Sequence, residues 1–119
     1  MTRIALIAAL FLAFVLPSMA VAELKRIESK SEFVQLIQGK ILSRPLVRLQ
    51  VNPDGQISGR GATWDITGSW SWQNGFFCRE LNWGGDDMGY NCQEVRADGT
   101  AMRFTADQGA GEFADFRLR

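Results

Sequence analysis

The sequence contains no histidine, which removes the commonest general base and the commonest metal-ligating side chain. Ser-His-Asp hydrolysis and histidine-ligated zinc are excluded with it. Neither sign of charge is in excess, since 13 Lys+Arg stand against 13 Asp+Glu. A nucleic-acid partner calls for a basic patch or stripe, and an anionic lipid surface calls for a basic cluster; no run of basic residues supplies either. Cysteine is down to two residues, and they are not spaced as Cys-x-x-Cys, so a redox pair is not indicated. No Gly-x-Gly-x-x-Gly opens a helix after a strand, and Gly59-Arg60-Gly61-Ala62 is followed by strand residues, so a dinucleotide site is not expected. No cofactor, no metal and no catalytic residue can be assigned from these patterns.

Long apolar runs are also scarce, and the one present is at the start. Met1-Thr2-Arg3 precedes uncharged Ile4–Leu16, followed by Pro17-Ser18-Met19-Ala20-Val21-Ala22. A basic start, a short apolar run and small residues at the end are the parts of a secretory signal. Residues 1–22 are therefore expected to be cleaved, after Ala22 or alternatively after Ala20. The run falls short of the roughly 20 residues a span needs, so no membrane anchor is expected. Residues 23–119 then form a single domain, periplasmic or secreted. Without Arg3 its basic count falls from 13 to 12.

Two cysteines in an exported chain are expected to pair with each other. A Cys78–Cys92 bridge closes a loop of about 15 residues, worth roughly 3 kcal/mol on a chain-entropy treatment. That is a large share for so small a domain.

Ser29 or Ser31 caps one short helix carrying Phe33, Val34, Leu36 and Ile37, and Gly39 ends it. Its apolar stripe is expected to face a core. From Pro45 onward the period changes to two. Val47, Leu49 and Val51 alternate with polar positions, and Asn52-Pro53-Asp54-Gly55 turns the chain. Gln56–Arg60 returns, with Gly59 and Gly61 expected at a bend or bulge. Thr63–Ile66 and Ser69–Gln73 give one or two strands around Gly68. Phe76–Asn82, Gly89–Val95, Thr100–Ala106 and Glu112–Leu118 follow. Val-x-x-Asp-Gly occurs at Val51–Gly55 and again at Val95–Gly99, which predicts one turn solution used twice. The fold expected is mainly β: an antiparallel meander of seven or eight strands closing into a barrel or strongly curved sheet, with one N-terminal helix.

Asn74-Gly75 is the strongest hairpin signal in the chain. A two-residue turn there sets Gln73 opposite Phe76, Trp72 opposite Phe77, Ser71 opposite Cys78 and Trp70 opposite Arg79. Trp70, Trp72, Phe77, Arg79 and Leu81 then share one face. Cys78 opposite Cys92 sets Arg79 against Asn91 and Leu81 against Gly89. The aromatic face reads as barrel core, with Arg79 stacked on Trp70, or as a cavity in which Trp70, Trp72, Phe77 and Arg79 meet a small apolar or anionic ligand. Trp64 and Trp83, near strand ends, are candidate exposed anchors. Asn82–Gly89 reads as a mobile, glycine-hinged loop. Its Asp86 and Asp87, with Glu80 nearby, lack the alternating oxygen pattern of a calcium loop.

On Trp70-x-Trp72, Asn74-Gly75, Cys78-Arg79 and Cys92, over roughly Val51–Phe104, the chain resembles a group of small exported single-disulfide bacterial proteins of unassigned function. Some members carry a dihydrodipicolinate reductase label, an activity the residues here do not support. In overall plan the chain is also similar to the lipocalin-like periplasmic inhibitors of secreted metalloproteases. That likeness implies a small barrel, but the charged start Glu23–Lys30 and the late disulfide depart from the pattern.

Two functional expectations follow. The first is an exported non-catalytic module binding a protein or cell-envelope component through Trp83, Asp86, Asp87 and Trp64. The alternative is a lipocalin-like carrier, which a barrel filled by its own side chains would exclude. An enzyme ranks behind both.

Overall fold

A computed structural model describes residues 23–119; the expected signal, residues 1–22, lies outside the described residues. Nine strands and one helix follow in order: β1 (Lys25–Ile27), α1 (Lys30–Ile37), β2 (Leu42–Arg44), β3 (Val47–Val51), β4 (Gln56–Gly61), β5 (Trp64–Gln73), β6 (Phe76–Trp83), β7 (Asp86–Ala97), β8 (Ala101–Thr105) and β9 (Phe113–Leu118). All neighbouring strands are antiparallel. β2 to β9 form a closed ring in which β7 pairs with β8 and β9 returns to β2. Closure leaves no open ladder within the ring itself for another chain to extend.

β1 is the ninth strand and was not evident in the sequence. One edge of β7 takes β6 as far as Gln93, opposite Phe77, and then takes β1 from Val95, opposite Ile27. β1 therefore fills the place that β6 vacates at its turn. The Asn74-Gly75 turn forms with positive φ at both residues, 52° and 83°. The counted register is observed from Gln73–Phe76 to Trp70–Arg79, and Cys78 stands opposite Cys92 and bonded to it. Such a bridge fits an oxidising compartment.

The repeated Val-x-x-Asp-Gly motif does form one turn twice. Asp54 Oδ1 accepts from Gln56 N–H at 3.0 Å and Asp98 Oδ1 accepts from Thr100 N–H at 2.9 Å, with Gly55 and Gly99 at positive φ. The short aspartate side chain satisfies a turn amide that no strand partner reaches.

Several local expectations are corrected. Of the one or two strands expected around Gly68, one forms: β5 runs unbroken from Trp64 to Gln73 and pairs with β4 without a register shift over Trp64–Ser69. Gly59 and Gly61 sit in an unshifted ladder rather than a bulge. They are glycines because a Cβ would enter the Arg48 carbonyl in one case and the Trp83 ring in the other. The bulge lies instead between Glu80 and Asn82, so Leu81 does not face Gly89. Nor is Asn82–Gly89 a loop. Gly84 and Gly85, with φ of 58° and 93°, close a tight hairpin, and strand pairing runs up to Trp83 and from Asp86.

The helix is positioned from both sides. Ser29 Oγ accepts from Glu32 N–H at 3.2 Å and starts it, and Gly39 with φ 71° ends it. Its Phe33 and Ile37 are buried, as the apolar stripe predicts. No described helix is long and apolar enough to cross a membrane.

Candidate functional site

A meander barrel sorts its turns between two ends. The turns β3–β4, β5–β6 and β7–β8 lie at one end, and β2–β3, β4–β5, β6–β7 and β8–β9 at the other. The helix closes the first end. Phe33 enters the barrel, its ring 5.1 Å from Trp70, 5.1 Å from Trp72 and 5.2 Å from Phe77. Trp70 Nε1 donates to the Asn52 carbonyl at 2.8 Å and Trp72 Nε1 to the Glu28 carbonyl at 3.0 Å, so the buried Trp70 and the partly buried Trp72 both have their polar atom satisfied. This end is solid.

The second end is open. Below its mouth lies a cavity of about 490 Å³, lined among others by Leu42, Leu49, Val51, Ile57, Phe77 and Phe104, with Arg79 entering from β6. An adjoining hollow of about 440 Å³ continues to the rim past Leu81, Ile66 and Trp83. Both volumes lie in the range of small-molecule sites. Of the four residues proposed from sequence to line a cavity, Phe77 and Arg79 do so, whereas Trp70 and Trp72 face Phe33.

Arg79 is the charged group that distinguishes this cavity. Its Nη1 donates to the Gly89 carbonyl at 2.9 Å, and burial lowers its pKa from the ordinary arginine value. The ion pairs among the described residues are Arg60–Asp65, Arg96–Glu94 and Arg103–Asp115, none of which includes Arg79. The expected stacking of Arg79 on Trp70 is not what forms. Lys30 lies over Trp70, 5.7 Å from the ring centroid, because the helix covers that end and leaves Arg79 facing the lumen. Gln93 and Glu112 complete the polar lining, and Arg44 leans over Phe116 at the mouth, 5.7 Å from the centroid.

The four candidate surface residues gather around the same mouth. Trp64, Trp83 and Asp86 line one shallow depression with Met88. Trp83 is half-buried: its ring covers Gly61, and Nε1 donates to the Gly61 carbonyl at 3.2 Å. Trp64 stays 57% exposed. Asp86 and Asp87 are successive strand residues opposite Trp83 and Asn82, and Asp87 Oδ1 accepts from Gly89 N–H at 2.8 Å. Successive strand side chains point to opposite faces, so the pair diverges. Among the described residues no three His, Cys, Asp or Glu side chains converge on a metal-sized site.

Sequence reasoning missed Leu42, Leu49, Arg44 and Met88 as lining residues. Leu49 could have been found from its place between Val47 and Val51 in the alternating run. Leu42 and Arg44 lie on a three-residue strand too short for a period to show. Comparison with protein-family models, with curated proteins and with solved structures finds no match to the chain.

Proposed function

We propose that this protein is an exported, non-catalytic carrier that holds a small amphipathic anion in the open half of its barrel, in the periplasm or outside the cell. The observation that carries this reading is the half-buried guanidinium of Arg79, in no ion pair among the described residues, inside a cavity of about 490 Å³ whose lining is mostly apolar apart from Arg44, Gln93 and Glu112. An ion taken from water is costly unless something pairs with it. A ligand carboxylate, sulfonate or phosphate against Arg79 supplies that pair, while its apolar body takes the surface offered by Leu42, Leu49, Val51 and Phe104. The disulfide and the signal-like start support the compartment.

Dodecanoate and dodecanol test the reading, since they share an apolar chain and differ in the head group. Calorimetric titration is expected to show dodecanoate binding more tightly, with Arg79→Gln removing the difference. Equal affinity for the two in the wild-type protein, or no binding of either, contradicts the proposal.

The module reading keeps one observation of its own. Of the five exposed large apolar side chains among the described residues, Leu46, Trp64, Met88 and Phe113 lie at turns or strand ends around the mouth, and the fifth, Tyr90, lies within β7 opposite Glu80. Replacing Trp64 and Met88 by serine and measuring capture of envelope components separates this reading from lumen binding.

A further inference from the structure

Arginines that are scattered in sequence meet on one outer wall. The register sets Arg60 opposite Arg48, Arg48 opposite Ser43 and Ser43 opposite Arg117. One transverse line thus runs across β4, β3, β2 and β9, bearing three cations and a hydroxyl on the face turned away from the lumen. Like charges directly opposite in an antiparallel pair cost stability; Asp65, opposite Arg60 on β5 and 3.9 Å from it, offsets Arg60, whereas no ion pair among the described residues offsets Arg48 or Arg117. Beside this line is a groove of about 900 Å³, larger than either lumen hollow, lined by Arg44, Arg48, Arg117 and Arg119. None of these four is in an ion pair among the described residues. The one carboxylate in the groove is Asp115, and Arg103 already holds it with two hydrogen bonds, at 2.7 and 3.0 Å.

We infer that this groove is a docking surface for the phosphates of an anionic lipid leaflet. Four unpaired guanidiniums beside one neutralised acid give the wall a net positive field, and guanidinium forks match phosphate oxygens. The choice of lipid over nucleic acid rests on what adjoins the cations. The groove runs to the rim at Pro45 and Leu46, and Leu46 is 80% exposed with φ of 67°, held outward at the β2–β3 turn. An apolar side chain beside a row of arginines suits a boundary between headgroups and acyl chains. A single-stranded nucleic acid would call for aromatic platforms, and a duplex for an element that enters a groove. The wall is a run of barrel strands, with no projecting element and no exposed aromatic ring in its lining. The groove shares Arg44 and Phe116 with the lumen mouth, but Arg48 and Arg117 line neither lumen hollow, so variants at those two test the inference apart from the lumen reading.

Flotation of the disulfide-bonded protein with vesicles tests it. Vesicles of equal parts phosphatidylglycerol and phosphatidylcholine are expected to carry the protein, and vesicles of phosphatidylcholine alone are not. The pair Arg48→Gln and Arg117→Gln should lower the bound fraction about tenfold or more, and added salt should do the same. The pair Arg48→Lys and Arg117→Lys should keep most of the binding, which separates loss of charge from loss of fold. Equal flotation with both compositions overturns the inference, as does undiminished binding by the glutamine variant. Tight binding of an oligodeoxynucleotide with no preference for phosphatidylglycerol also overturns it, assigning the arginines to a dissolved polyanion. Dodecanoate titration of the glutamine variant should match wild type, so the outcome is independent of the lumen.

Discussion

The two ends of the barrel are built from similar materials and finished differently. At the closed end an eight-residue helix inserts Phe33 among Trp70, Trp72 and Phe77, and every polar atom of the tryptophans finds a carbonyl. At the open end the strands continue without a plug, and the space between them is left to Arg79 and a mostly apolar lining. A ring of strands of this size can be filled or can hold a small ligand. Here one half is filled by its own side chains and the other is left open. On the proposed reading, stability is concentrated in the plugged half and ligand binding in the other.

Truncating the plug should therefore have the largest effect. Phe33→Ala removes a fully buried ring and is expected to cost about 3–5 kcal/mol in denaturant unfolding. Leu81→Ala, at a lumen position that already borders empty space, should cost less than about 2 kcal/mol. Equal costs would erase the distinction between the ends.

The bridge comes next. Replacing Cys78 and Cys92 together by serine should cost about 3 kcal/mol, because the bond closes a loop between residues 14 apart in sequence. An unchanged denaturation midpoint would show that the strands hold register without it.

Arg79→Gln sharpens the comparison in the opposite sense. Loss of a charge-assisted contact should weaken dodecanoate binding by about tenfold to a hundredfold. The melting temperature should hold or rise, since the folded protein no longer carries a half-buried charge. A large drop in stability would make Arg79 a structural residue.

The smallest effect concerns pH. Three donors, Thr100 N–H, Ala101 N–H and the Thr100 hydroxyl, hold the Asp98 carboxyl below the usual carboxylate range. The folded state thus binds this proton more weakly than the unfolded chain. The contribution is complete above the unfolded value of about 4 and fades as pH falls through the lower folded value. The Arg103–Asp115 pair acts in the same direction. In Asp98→Asn the loss of melting temperature on acidification below about pH 4 should be shallower than in wild type. Parallel curves would contradict the assignment.

What the sequence disclosed follows from how local each signal is. The Asn74-Gly75 turn fixes register by counting, so the Trp70–Arg79 and Cys78–Cys92 neighbours were legible. The Ser29 cap and the Phe33–Ile37 stripe were legible for the same reason. The bulge near Leu81 was not, because it depends on how β6 and β7 accommodate the turn at Gly84-Gly85. Strands β1 and β2, three residues each, are too short to show a period and exist only because neighbours pair with them. Nor could the sequence show that Phe33 would take the space beside Trp70 and Trp72, which moved the open cavity toward Phe77 and Arg79. The arginine wall is the clearest omission. Arg48, Arg60 and Arg117 are far apart in sequence, so the absence of a basic run concealed a basic line that only the barrel register assembles.

The central claim is that ligand binding belongs to one half of the barrel. Methyl chemical shifts recorded during a dodecanoate titration test it directly. The account predicts shifts at Leu42, Leu49, Val51 and Leu81, with Ile27, Ile37 and Val95 unmoved. Shifts centred on the second group, or none in either, would contradict it.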